Sequence, residues 1–358
     1  MKTADLGDIR LNWTESGDPA GAPVVLLHAL GADLGMWDRL IAELPSGYRW
    51  IRLDMRGHGG SDVVSGPGSM GALVRDVERF MDHLDLRDAV LVGCSIGGLI
   101  TQGLAVKRLD LVRGMVLAAT ATRIGMASHW HDRAALVRDK GMEAIVGMVS
   151  ERWFSRSRQD GPEARTARQV LLSTSPQGYA AGCEAIAGTD FYATTARLTL
   201  PTLVIAGSDD RATPPDLVRD LADLVRGADF ALLRGAGHLA ALDQPQAFAA
   251  LLEGFLARIG HGYMIPAMRG MMAAPVVQPH HHHEHGGGCC GGHGHDAQGC
   301  CTPAPAVHAA GCCGHDHGDD HAHDHHGHND CCGGPKAPAA SAGSASAGHG
   351  CGCGHHHH

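Results

Sequence analysis

Gly93-Cys94-Ser95-Ile96-Gly97 sets a hydroxyl midway between two glycines. An apolar run at 89–92 precedes it, and a helical stretch through residue 104 follows. Strand, sharp turn and helix together are the setting of a nucleophile elbow. The glycines have a steric reason: a serine held on a strained turn leaves no room for side chains at 93 and 97 against strand and helix. A serine hydroxyl is a weak nucleophile until a base takes its proton. His238 is the candidate base, in Gly235-Ala236-Gly237-His238-Leu239, just beyond an apolar run that ends at Leu233. Asp209 and Asp210 both qualify as the acid that orients it, in the loop after the run at 202–206. The chain order is then nucleophile, acid, base, and the chemistry is acyl transfer. An oxyanion needs two N–H donors. Ile96, next to the nucleophile, is one candidate. Leu30, in His28-Ala29-Leu30-Gly31 after the run at 24–27, is the other. His28 reads as structural, holding that loop.

A second kind of chemistry lies at the far end of the chain. Cys289-Cys290, Cys300-Cys301, Cys312-Cys313 and Cys331-Cys332 form pairs, with Cys351 and Cys353 after them. Histidines His280, His281, His282, His283, His315, His317, His321, His323, His325, His326 and His328 are interleaved. Thiolate and imidazole are ligands of Zn(II), Ni(II) and Cu(I). The spacing defines no single finger and suits a multi-site metal-binding segment. The last four residues, His355 to His358, read as a tag.

The elements that must position Ser95, the acid and His238 alternate between strand and helix. Short continuous apolar runs at 24–27, 50–54, 89–93, 114–118, 202–206 and 230–233 read as strands buried on both faces, with an earlier strand at 9–14. Ser69 caps an amphipathic stripe of Met70, Leu73, Val74, Val77, Phe80, Met81 and Leu84. Leu217, Leu221, Leu224 and Val225 form another stripe, and Phe248, Leu251, Leu252, Phe255 and Leu256 the last. The expected fold is α/β: a mostly parallel sheet with helices on both faces. Between residues 122 and 196 the alternation stops and the pattern is helical. That stretch reads as a cap over the carboxyl ends of the strands, where open α/β sheets place their sites.

Composition sharpens the division. Every Phe, Trp and Tyr lies at or before Tyr263, while residues 280–358 hold 20 of the 27 histidines and 10 of the 12 cysteines. Val307 is the one apolar residue there that is larger than alanine, cysteine and proline aside. Such a segment cannot offset the entropy of ordering its backbone, so a disordered C-terminal tail is expected. The expected organisation is a core at 1–121 and 197–262, a helical cap at 122–196, a methionine-bearing linker at 263–279 and the tail at 280–358. Most of the formal charge of −9 sits in the tail, where Glu284 and six aspartates face Lys336. No basic surface is available for phosphates, which disfavours nucleic acid. No stretch of about 18 uncharged apolar residues exists, so no membrane span is expected. The charged N-terminus has no apolar signal region, which points to the cytoplasm. There the thiols stay reduced unless metallated.

Residues 9–256 resemble the α/β-hydrolase fold, and within it the enol-lactonases that act on 3-oxoadipate enol-lactone. The resemblance runs through residues 30–38 (LGADLGMWD), 53–61 (LDMRGHGGS), 93–98 (GCSIGG), 123–125 (RIG), Trp153-Phe154, 175–186 (SPQGYAAGCEAI), 201–207 (PTLVIAG) and 238–245 (HLAALDQP). Cys94 and Ile96 stand where the family commonly shows Leu and Met, and His28-Ala29 where it often has smaller polar residues. The resemblance implies that Ser95, Asp210 and His238 are the triad, because Gly-x-x-Asp followed by Thr-Pro matches the family's acid loop. It implies a serine hydrolase that opens a small-molecule lactone carrying a carboxylate and needs no cofactor. A cation in the cap should then receive the carboxylate, and Trp130 and Arg133 are the candidates. A general carboxylesterase of the same fold, and a metal buffer acting through the tail, are the alternatives.

Overall fold

The computed structural model describes residues 1–262; the linker and tail of the sequence reading fall outside the described residues. Eight strands form one sheet in the order β1-β2-β4-β3-β5-β6-β7-β8: β1 (Lys2–Asp5), β2 (Arg10–Gly17), β3 (Pro23–Leu27), β4 (Arg49–Leu53), β5 (Ala89–Cys94), β6 (Val112–Ala118), β7 (Thr202–Gly207) and β8 (Asp229–Leu233). β1 pairs antiparallel with β2, and β2 antiparallel with β4. Every other pairing is parallel.

The apolar runs become strands because central parallel strands are covered on both faces. β5 and β7 are buried at every residue. β8 departs from the expectation of burial on both faces. It is an edge strand, exposed or half-buried along all but Leu233. Phe230 is instead shielded by the Arg219 guanidinium, 3.9 Å above its ring. β1 was not anticipated. Its charged ends hide its one buried residue, Ala4, and only pairing with β2 makes it a strand.

The helices are α1 (Asp38–Glu43), α2 (Met70–His83), α3 (Ile96–Lys107), α4 (Ala127–Lys140), α5 (Val146–Trp153), α6 (Pro162–Ser173), α7 (Pro176–Ala187), α8 (Tyr192–Thr195), α9 (Pro215–Leu224), α10 (Ala240–Asp243) and α11 (Pro245–Arg258). α2 starts where its sequence says: the Ser69 hydroxyl accepts from the Ala72 N–H at 3.3 Å. α3 packs on β3, β5 and β6 and against α2, while α1 packs with α11 and α9 covers β7. Trp37, just before α1, is core, edge-on to Phe248 of α11. Five helices, α4 to α8, lie between β6 and β7, with no strand among them. α7 sits hard against the loop after β4, where a Cβ on Gly178 would stand 2.2 Å from the Gly57 carbonyl oxygen.

Candidate active site

Four strand ends supply the site. Ser95 follows β5, Leu30 lies after β3, Asp210 after β7 and His238 after β8, so parallel pairing alone brings their loops to one edge of the sheet.

Ser95 has φ 56° and ψ −116°, a conformation that L residues rarely adopt. The strain is held from several sides. The Ser95 N–H donates to the Ala118 carbonyl at 3.0 Å, and the Thr120 hydroxyl donates to the Ser95 carbonyl at 2.7 Å. The flanking glycines are required by space. A Cβ on Gly97 would lie 2.3 Å from the Leu27 carbonyl oxygen, and one on Gly93 would lie 2.3 Å from that of Gly97.

Asp210 is buried and Asp209 is exposed, which separates the two candidate acids. His238 Nδ1 donates to Asp210 Oδ2 at 2.9 Å. The same oxygen accepts the Thr213 hydroxyl at 2.7 Å. Asp210 Oδ1 accepts the N–H groups of Ala212 and Thr213 at 2.7 and 3.0 Å. Burial alone would raise this carboxyl. The His238 charge and hydrogen bond, with the Thr213 donors, outweigh burial and hold it below the usual aspartate range. With Nδ1 committed to the carboxylate, Nε2 is the ring atom left to exchange a proton.

The N–H groups of Leu30 and Ile96 donate to no acceptor among the described residues. His28 holds the loop that presents Leu30. Its Nε2 accepts the Met55 N–H at 2.9 Å, so Nδ1 carries the proton and donates to the Ala29 carbonyl at 2.8 Å. Burial lowers its pKa and keeps it neutral. His58 lies beside it with its ring tilted by 52°, ring centroids 5.3 Å apart, and burial pushes its pKa down to about 3.

Ser95 and His238 line a cavity of about 120 Å³ with Leu30, Trp130, Arg133 and Tyr179. Both cap candidates therefore reach the same space as the serine. The Arg133 guanidinium stacks 4.5 Å over the Trp130 ring, whose Nε1 donates to the Ile124 carbonyl at 2.6 Å. Burial raises the hydroxyl of Tyr179 well above the usual phenol range, with the Arg133 charge opposing it. The sequence reading missed Arg152, at the end of α5, which lines the cavity too. It also missed Asp243, buried five residues after His238. Asp243 Oδ2 accepts the Gly237 N–H at 2.8 Å and the Ser155 N–H at 3.0 Å. Next to it the Leu239 N–H donates to the Trp153 carbonyl at 2.9 Å. The loop of His238 is thereby tied to the chain that leaves α5.

Among the described residues no cluster of three or more His, Cys, Asp or Glu is arranged to hold a metal ion. The tail ligands of the sequence reading, from His280 to Cys332, lie outside the described residues. No helix among the described residues is long and apolar enough to cross a membrane. Cys183 is buried among apolar neighbours, as a small hydrophobe would be.

Comparison with known proteins gives the family. Residues 22–245 match the family described as alpha/beta hydrolase fold. The chain is 34% identical over 253 residues to 3-oxoadipate enol-lactonase 2 of Acinetobacter baylyi, covering 70% of this chain and 94% of that one. It is similar to the crystal structure of the enol-lactonase from Burkholderia xenovorans LB400, with 35% identity and a TM-score of 0.69, covering 72% of this chain and all of the other. A thermophilic esterase from Thermogutta terrifontis, solved with malate bound, aligns with a TM-score of 0.69 at 29% identity, covering 73% of this chain and all of the other. On a family match of that extent and relatives of that identity, the chain belongs to the alpha/beta hydrolase fold family and is a hydrolase with enol-lactonase and esterase homologues.

Proposed function

We propose that this hydrolase opens the ring of a lactone that carries a carboxylate, with 3-oxoadipate enol-lactone as substrate and 3-oxoadipate as product, through an acyl-enzyme on Ser95. One observation carries the reading. Ser95 and His238, the latter bonded to buried Asp210, border a cavity whose wall carries Arg133 and Arg152. The names of the enol-lactonase relatives supply the substrate.

His238 takes the Ser95 proton as the hydroxyl oxygen attacks the lactone carbonyl. The charge that builds on the carbonyl oxygen meets the N–H groups of Leu30 and Ile96, both free to donate. Asp210 keeps the imidazole in the required tautomer and stabilises its protonated form. As the tetrahedral centre collapses, the ring C–O bond breaks and the departing enol oxygen takes the proton from His238. The enol tautomerises to the ketone. Water then gives a proton to His238 and attacks the acyl carbon, the proton returns to Ser95, and the dicarboxylic keto acid leaves. Arg133, stacked on Trp130, adds positive charge to the wall that faces the substrate's carboxylate. No step calls for a metal or an organic cofactor, and a cytoplasmic setting suits an enzyme of small-molecule catabolism.

The test is the loss of ultraviolet absorbance on adding 3-oxoadipate enol-lactone, for the intact protein and for Ser95→Ala, each with and without chelator. Turnover that needs Ser95 and ignores chelator is expected. Cleavage of simple aryl esters with no action on the lactone would favour the general carboxylesterase, a reading supported by the Thermogutta esterase likeness.

The Cys and His residues of the tail support a separate metal-binding role for Zn, Ni or Cu(I). Equilibrium dialysis of the full chain against one ending at residue 279 tests it. Equal metal retention by the two would remove the role.

A further inference from the structure

We infer that Arg152, not Arg133, is the residue that receives the substrate's carboxylate. The inference rests on the proposed hydrolase reading and assigns a specificity determinant within it. Two arginines line the cavity, and their surroundings differ. Arg133 is already engaged: its guanidinium lies 4.5 Å over the Trp130 ring. Arg152 has no ion pair, side-chain hydrogen bond or ring partner among the described residues. No Asp or Glu stands among the described residues that line this cavity.

A half-buried guanidinium without a counter-ion, lining the same cavity as Ser95 and facing no carboxylate there, suits an anion. A planar fork of donors suits a carboxylate bidentately. The packing adds a second reason. The chain just after Arg152 is held to the loop of His238 by two links, Asp243 Oδ2 to the Ser155 and Gly237 N–H groups and the Trp153 carbonyl to the Leu239 N–H. The guanidinium is thus carried on backbone whose position is set by the same loop as the catalytic base. Arg133, on α4, shapes the pocket by holding Trp130. The ligand class is an acyl chain that ends in a carboxylate: half-esters and lactones of short dicarboxylic acids.

The experiment compares mono-4-nitrophenyl glutarate with 4-nitrophenyl pentanoate, which differ in a terminal carboxylate against a methyl. The wild-type protein should prefer the glutarate half-ester in kcat/KM. Arg152→Gln should lower that preference about 10- to 100-fold, the range for a lost charge-assisted hydrogen bond, mainly through KM. Arg152→Lys should restore part of it, and Arg133→Gln should lower the preference less than Arg152→Gln. An unchanged preference in Arg152→Gln, or a larger loss in Arg133→Gln, overturns the assignment.

A second measurement stands apart from turnover: quenching of tryptophan fluorescence by glutarate in the Ser95→Ala background, with and without Arg152→Gln. Binding that needs Arg152 supports the site even if neither ester is cleaved, a result that would sink the hydrolase reading alone. Binding indifferent to Arg152 overturns the inference whatever the turnover.

Discussion

The loops at the strand ends and the helices between β6 and β7 build the same cavity by opposite means. Ser95, Asp210 and His238 each follow a strand, and two of those strands, β5 and β7, are buried at every residue. Their positions are fixed by the sheet. On the other side, α4 buries only Ala134 and Val137 of its fourteen residues, and it presents Trp130 and Arg133 from a half-exposed face. The proposed chemistry is mounted on loops set by the sheet, and the proposed substrate selection on the helices between β6 and β7. Change at the strand ends should then act on kcat, and change in the helical insertion on KM.

The largest expected effect is at the strand ends. Ser95→Ala should lower kcat on the lactone by about 10⁴- to 10⁶-fold. Asp210→Asn should cost about 10⁴-fold, through the wrong imidazole tautomer. Steady-state kinetics on the purified variants check both. Insertion variants that matched those losses in kcat would break the division.

A smaller effect is expected where the two regions meet. Asp243→Ala leaves the Ser155 and Gly237 N–H groups buried without an acceptor, and should cost about 2–4 kcal/mol in urea unfolding. Asp243→Asn, which keeps an acceptor oxygen, should recover part of that loss.

Below that comes the pH response of the core. His58 is neutral in the fold, with a pKa of about 3 against an ordinary value near 6.5. Its contribution is complete above the unfolded value and is lost as pH falls from about 6.5 toward 3. The slope is at most about 1.4 kcal/mol per pH unit. Asp210 is lowered too, so its contribution is lost only below about 4, the unfolded aspartate value. Urea unfolding between pH 7 and 4 should show the summed slope of His58 and the other buried histidines, His28 among them, and His58→Gln should make it shallower. The smallest effect belongs to the surface of the insertion. Arg138 pairs with Glu184 in water, and Arg138→Gln should change stability by less than about 1 kcal/mol in the same assay.

The difference between the regions also explains what the sequence made legible. The triad could be read because each member sits at a fixed offset from an apolar run, and the runs became β5, β7 and β8. The tie between Asp209 and Asp210 could not be broken by spacing. Burial of Asp210 and exposure of Asp209 favour Asp210, the acid that the resemblance implies. β1 escaped because a four-residue strand with Lys2 and Asp5 at its ends has no apolar period. Arg152 escaped for a different reason. An arginine in the last turn of a short helix is common, and only the way α5 ends at the cavity marks this one out. Asp243 did leave a signal: an acid near a catalytic histidine, in an otherwise apolar stretch, asks what it is bonded to. The tail was legible only as ligand chemistry.

The backbone of Ser95 has one more consequence. At φ 56° and ψ −116° the position suits glycine, and on the proposed mechanism the serine is kept there for its hydroxyl. Strain of this kind costs on the order of 1–3 kcal/mol. Activity and thermal resistance are therefore set against each other at a single residue. An inactive Ser95→Gly chain is expected to melt above the active enzyme, while Ser95→Ala, which keeps the Cβ, should not. Calorimetry on the three proteins would separate the loss of the hydroxyl from the relief of the turn.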